Sequence, residues 1–196
     1  MKPPNPSRPS MRSVVIGILL VARGRADGLR LFGDTSQSVL SGLAPLGAFL
    51  LVGVVAALVG HDRETLTDLL SVSIGFLGPL VLSFEVARRW NRAAQWRRFA
   101  TAFCWCQWAA PLALAVVLIL MAIMMTVGIQ PEIAAGVGVA LMFAYAVWLN
   151  WFLARHALEL TPLRAVALVV IVNFLTIMLI LVPQVVSQMA NGAPAP

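Results

Sequence analysis

Five long apolar runs divide this chain, and nearly all of its basic residues fall in alternate segments between them. Each run approaches the roughly 20 residues that a helix needs to cross a hydrocarbon core about 30 Å thick. The sequence therefore predicts an all-α polytopic membrane protein, with five transmembrane helices in one membrane domain over residues 35–190. The predicted spans are about Val39–Gly60, Leu69–Ala87, Thr101–Thr126, Ile133–Leu153 and Leu163–Val186.

The basic residues also predict the orientation of the chain. Of the 14 Lys and Arg residues, 13 precede the first run or lie between the second and third or the fourth and fifth runs, and only Arg63 lies elsewhere. Because positively charged connections stay in the cytoplasm, we expect a multi-pass protein of a bacterial inner membrane, with a cytoplasmic N-terminus and an outward C-terminus. The apolar run Val14–Ala22 loosely imitates a signal peptide, but Arg23 and Arg25 follow it directly, so we interpret it as retained.

Composition limits the partners of such a chain. With 60% hydrophobic and 11% charged residues, it is too apolar for an ordinary soluble domain. The net charge of +6 is sorted to one predicted side, which favours anionic phospholipid over nucleic acid as a partner. Cys104 and Cys106 stand two apart, too far around a helix to close a disulfide. We interpret them as small apolar fillers, with acylation of a juxtamembrane thiol as the alternative.

Two tails and one amphipathic segment flank the spans. The proline-rich residues 1–12 predict a disordered cytoplasmic tail, and residues 191–196 predict an outward tail. In residues 13–34, apolar side chains recur every three or four positions and charges of alternating sign occupy other positions, which predicts an amphipathic helix. This helix either lies on the cytoplasmic membrane surface or packs under the bundle.

Prolines mark irregular points within the spans. Gly78 and Pro79 weaken the second span near mid-membrane. Thr161 and Pro162 are expected to begin the fifth span, as cap and first helical residue. Pro183 is expected to kink or end that span.

The segment that joins the second and third spans is the main candidate for a binding surface. It is rich in Arg and Trp, residue types that dominate binding hot spots, and all six tryptophans lie on this predicted side. Interfacial anchoring is the alternative role for the tryptophans. We expect the segment to lie along the headgroups and to contact anionic phospholipid or a membrane-protein partner. The candidate lipid- or partner-binding residues are Arg88, Arg89, Trp90, Arg92, Trp96, Arg97 and Arg98.

Two groups of polar residues lie within the spans. Glu85 stands one turn before Arg88 and Arg89, which predicts a paired carboxylate, with a proton or cation relay as the alternative. Polar residues of the fifth span share one stripe, which we expect to face neighbouring helices or a wet cavity, with Asn173 directed towards the bundle interior. The stripe consists of Asn173, Thr176, Gln184 and Ser187, and the candidate intramembrane polar residues are Glu85, Asn173, Thr176 and Gln184.

Two stretches carry a family resemblance. In Phe99–Pro111 an aromatic-rich helix start meets a proline early in a span, and from Tyr145 to Ala165 an aromatic-rich span exits into a short basic loop before the next span begins. Both stretches resemble prokaryotic relatives of the Yip family, multi-spanning proteins first known as Rab-GTPase interactors in membrane traffic. The resemblance covers about residues 20–186 and implies five spans with an N-terminal amphipathic segment. The eukaryotic Asp-Leu-x-Gly-Pro and Gly-Tyr motifs are missing, although Gly75–Pro79 is similar to the first, so the trafficking role is not implied.

No common catalytic or phosphate-binding motif occurs in the sequence, so we predict no enzyme, no catalytic residue and no cofactor. His61, Glu64 and Asp68 have helical spacing, but their loop is short and exposed and has no third strong ligand at matching spacing, so no metal site is predicted. These patterns predict a non-catalytic scaffold, assembly or membrane-organising factor that works through a basic, Trp-rich cytoplasmic face. The alternative is a small transporter or channel subunit that uses the polar face of the fifth span.

Overall fold

The computed structural model describes residues 11–61 and 63–192, and every regular element among them is a helix. Side chains are described for residues 11–61 and 65–181. Of the predicted tails, residues 1–10 and 193–196 lie outside the described residues. The helices are α1 (Met11–Ala22), α2 (Ser36–Gly60), α3 (Arg63–Arg89), α4 (Ala93–Cys106), α5 (Ala109–Thr126), α6 (Pro131–Ala157) and α7 (Pro162–Gly192), with a 3-10 helix (Ala26–Leu31) between α1 and α2.

Five of these helices, α2, α3, α5, α6 and α7, are long and apolar enough to cross a membrane. This confirms the prediction of an all-α polytopic membrane protein with five spans. In four of them, only 11% of the most apolar 18-residue stretch is buried within the chain. Exposed apolar surface of this extent is typical of helices whose outer faces contact lipid.

The spans pack on one another in the order α2, α3, α7, α6, α5. At one end of the molecule, Gly53 of α2 lies against Leu69 near the start of α3. Helix α4 lies inside this arrangement and contacts α1, α2, α3 and α6. It runs back along α3, because Phe103 of α4 meets the edge of Phe76 of α3 with ring centres 5.9 Å apart.

The buried core is concentrated around α4. The last turns of α3 and α6 and one face of α1 pack against this helix, and the first turns of α7 belong to the same core. Within α4, Phe99 and Phe103 stack with ring centres 6.0 Å apart. The packing of α4 therefore fixes the relative positions of the helices around it. Its buried residues are Phe99, Ala100, Thr101, Ala102, Phe103, Cys104 and Cys106.

The predicted third span, Thr101–Thr126, is divided between α4 and α5. The break lies at Gln107 and Trp108. Its cause is Pro111, which has no N–H to donate to the carbonyl of Gln107 four residues earlier. The amide of Ala110 bonds that carbonyl instead, at 3.1 Å, in a tighter turn. The prediction of one helix was wrong because hydrophobicity continues across a break in the hydrogen bonding.

Residues 13–34 form two elements rather than one amphipathic helix. Helix α1 ends at Ala22, and the 3-10 helix follows a turn at Gly24, whose φ of +76° is left-handed. Val14, Ile18 and Val21 of α1 are buried in the core. Of the two alternatives, the structure supports packing against the bundle, since this face of α1 contacts protein.

Two prolines do not interrupt their helices. As predicted, α7 begins at Pro162. It continues past Pro183 to Gly192, so of the two expectations for Pro183, a kink or the end of the span, the end is excluded. Helix α3 likewise runs through Pro79 to Arg89. In membrane helices, local adjustments and neighbouring groups satisfy the carbonyl that a proline leaves free.

Candidate functional site

Arginines that the sequence assigns to one side of the membrane meet at one end of the structure. We call it the basic end. It comprises the end of α3, the starts of α2, α4 and α7, the α3–α4 connection (residues 90–92) and the α6–α7 connection (residues 158–161). Arg92 Nη1 lies 3.5 Å from Glu159 Oε2 and joins the two connections. Trp151 Nε1 donates to the carbonyl of Pro162 at 3.4 Å. The buried core around α4 adjoins this end, so packing holds its shape.

The predicted pairing of Glu85 is confirmed. Its Oε1 accepts from Arg89 Nε at 3.0 Å, and its Oε2 lies 2.8 Å from Arg88 Nη2. These pairs follow the helical spacings i+4 and i+3. Exposed pairs of this kind contribute only about 0–1 kcal/mol to stability. Their consequence is electrostatic, because one carboxylate neutralises part of the charge at the end of α3.

Arg97 and Arg98 differ from the preceding arginines. They lie in the second turn of α4 rather than in an extended loop, since α4 begins at Ala93. The candidate segment is therefore divided between the end of α3, a short connection and the start of α4. Within the part of the chain that the structure describes, neither guanidinium joins an ion pair. Arg97 is exposed and Arg98 is half-buried, so Arg97 is the more accessible charge.

Most of the tryptophans are packing residues. Trp108 is 52% exposed, whereas the other five are half-buried. Trp96 Nε1 donates to Ser83 Oγ at 3.1 Å. Its ring packs edge-on with that of Phe84, with ring centres 4.9 Å apart. Trp90 packs against the buried core. Trp90 and Trp96 thus stabilise the packing of α4 on α3. The charged groups that remain exposed where these two helices meet are arginines.

The polar residues of α7 do not share one environment. Asn173 is exposed, and its amide donates at 2.8 Å to the carbonyl four residues earlier in α7. The prediction that it faces the bundle interior was wrong, because an amide satisfied within its own helix needs no partner helix. Thr176 is buried, with Oγ1 3.3 Å from where a Cβ on Gly78 of α3 would lie. The side chains of Gln184 and Ser187 lie outside the described residues.

The two cysteines are enclosed by protein. Cys104 and Cys106 are each 1% exposed. This supports their interpretation as apolar fillers, since an acylating enzyme needs access to the thiol. Within residues 11–61 and 65–181, no group of three or more His, Cys, Asp or Glu side chains is arranged to hold a metal.

Comparison with known proteins gives no match among family models, curated proteins or solved structures. The resemblance to the Yip family therefore rests on the two stretches of residues quoted for it.

A groove beside Arg97 is the feature that sequence reasoning missed. Its walls come from α2, α3 and α4, and such a combination becomes visible only once the helices are packed. One signal was present in the sequence. Arg88 and Arg89 have Glu85 at helical spacing, whereas the positions three and four residues from Arg97 hold only Ala and Thr.

Proposed function

We propose that this chain is a non-catalytic protein of a bacterial inner membrane that acts as a scaffold, assembly or membrane-organising factor through its basic end. The observation that supports this proposal is the unequal pairing of the arginines. Arg88 and Arg89 share Glu85, and Arg92 pairs with Glu159. Arg97 is left exposed and unpaired among the described residues, beside the packed core.

A fixed, positively charged surface suits recognition. The core around α4 holds the basic end in one shape, so binding there does not require the helices to be ordered first. Each arginine near an anionic leaflet contributes on the order of 1 kcal/mol to attraction.

A small transporter or channel subunit is the second candidate function. The observation that favours it is a cleft of about 260 Å³ between α2 and the α4–α5 break. Its lining includes Gln107 at the break, Pro111 just after it, and Pro45, which lies within the continuous helix α2. Interrupted helices free backbone carbonyls that line solute sites in transporters. This cleft is a better candidate path than α7, where Asn173 bonds its own helix.

Purification from native membranes tests the scaffold proposal. The chain is isolated in mild detergent, as the wild type and as the Arg97→Gln/Arg98→Gln double variant, and the bound proteins are quantified. We expect a stoichiometric membrane-protein partner to accompany the wild type and to be reduced at least several-fold in the variant. Arg12→Gln/Arg30→Gln is the matched control, because it removes the same charge from the N-terminal segment and should keep the partner.

Reconstitution into liposomes separates the two candidate functions. A partner that remains equally bound in both double variants would contradict a role for the basic end. A purified chain that carries ions or small solutes across the liposome membrane, and loses this flux when Gln107 is replaced by Leu, would establish the transporter instead.

A further inference from the structure

An apolar groove opens beside Arg97 at the basic end. It has a volume of about 610 Å³ and lies between the start of α2, the end of α3 and the start of α4. Its size falls within the roughly 300–1,000 Å³ that is typical of ligand pockets. It is therefore large enough to hold part of a small amphipathic molecule.

The groove has an apolar depth and a polar mouth. Its mouth lies at the N-termini of two helices, where Ser36 begins α2 and Ala93 begins α4. Leu40 lies one helical turn further along α2 and is 65% exposed. Phe84 lies five residues before the end of α3 and is 39% exposed. Trp96 lines the groove between them and is held by its hydrogen bond to Ser83. The apolar part is thus preformed.

Charge distinguishes this groove from ordinary lipid-facing surface. Arg97 lines it, and no acidic residue does so within the part of the chain described here. The nearest acid along α2 is Asp34, two residues before the helix begins, and it is not part of the lining. A guanidinium in this position can donate charge-assisted hydrogen bonds to a phosphate. Helices α2 and α4 also begin at this groove, and the positive ends of their dipoles favour negative charge.

We propose that this groove binds one anionic phospholipid, with the headgroup phosphate at Arg97 and an acyl chain along Leu40, Phe84 and Trp96. The inference rests on the proposed function, which places the basic end at the anionic leaflet. A lipid is the occupant because the lining residues Leu40 and Phe84 are exposed apolar residues of α2 and α3, two helices apolar enough to cross a membrane. Arg97 supplies the complementary charge that makes an anionic headgroup the preferred one.

Native mass spectrometry of the full chain in mild detergent tests the site. The delipidated protein is titrated with phosphatidylglycerol and, separately, with phosphatidylcholine. We expect the wild type to bind one molecule of phosphatidylglycerol more tightly than it binds phosphatidylcholine. Arg97→Gln should weaken this binding roughly tenfold, the usual effect of losing a charge-assisted hydrogen bond.

Two further variants separate the groove from general positive charge. Ala94→Phe fills the mouth at an exposed position and keeps every charge, so it should also abolish the preferred binding. Arg164→Gln removes an exposed arginine of the same end that joins no ion pair among the described residues and does not line the groove, so this variant should still bind the lipid. The proposal is overturned if Arg164→Gln and Arg97→Gln lose equal amounts of lipid, if Ala94→Phe binds as the wild type does, or if Ala94→Phe displaces a protein or a second copy instead. Any of these results leaves the partner experiment on Arg97 and Arg98 to decide the scaffold role by itself.

Discussion

At the scale of single residues, glycines decide how closely the helices approach. A Cβ on Gly42 of α2 would lie 2.8 Å from the Cβ of Cys104 in α4, closer than ordinary van der Waals contact. Lipid provides little hydrophobic drive for helices to associate, so close packing of small residues takes its place. The contact between α2 and the buried α4 therefore depends on the missing side chain at position 42.

Replacing Gly42 by Ala is expected to destabilise the folded protein by about 1–3 kcal/mol, the usual cost of overpacking a well-packed contact. The midpoint of thermal unfolding in detergent should fall accordingly. Gly47→Ala in the same helix is the matched control, because no atom lies within 4 Å of the added Cβ and alanine favours helix over glycine. Equal stability of the two variants would contradict close packing at Gly42.

At the scale of elements, the sequence predicts what is local and misses what depends on partners. The predicted bounds of four spans agree closely with α2, α3, α6 and α7. An apolar run of this length forms a transmembrane helix in lipid, so the run alone locates the helix. The pairing of Glu85 was also predictable, since its partners stand at helical spacing. The separate helix α4 was not, because residues 101–106 are equally apolar whether lipid or protein surrounds them. The contact of Trp96 with Ser83 and the groove at Arg97 likewise require α3 and α4 to be packed first.

The break between α4 and α5 gives a prediction at this scale. Pro111→Ala restores an N–H that can bond the carbonyl of Gln107, so the two helices should join into one. A proline kink exceeds about 20°, and its removal over the 18 residues of α5 would move the far end by roughly 9 Å. Pulsed electron paramagnetic resonance between spin labels at the exposed positions Val59 and Ile123 measures this shift, with both native cysteines replaced by Ala.

The control for that measurement is Pro131→Ala. Pro131 is the first residue of α6, where a helix has no use for the missing N–H, so the label distance should not change. If Pro111→Ala also leaves the distance unchanged, the packing of α5 on α6 sets the break rather than the proline.

At the scale of the whole molecule, the two ends differ in composition and packing. The basic end combines the buried core, the paired arginines and the groove. The opposite end is formed by the α2–α3 and α5–α6 connections, where Val127 is 76% exposed and the spans bury few residues. The positive-inside distribution then predicts that the basic end lies in the cytoplasm. The proposed lipid site depends on this orientation, because only a cytoplasmic basic end would bring Arg97 to the leaflet that carries anionic lipid.

Thiol labelling in intact cells tests the orientation. In a background with Cys104→Ala and Cys106→Ala, single cysteines are introduced at Ala93 or Thr161 of the basic end, or at Val127 of the opposite end; all three positions are exposed. A membrane-impermeant thiol reagent should label Val127→Cys in intact cells, and Ala93→Cys and Thr161→Cys only after the cells are lysed. The reverse pattern would place the basic end outside the cell, so Arg97 could not bind an anionic lipid of the cytoplasmic leaflet. The five-span fold would remain unchanged. Labelling of all three positions in intact cells would mean that the chain inserts in both orientations, which 13 of 14 basic residues on one predicted side should prevent.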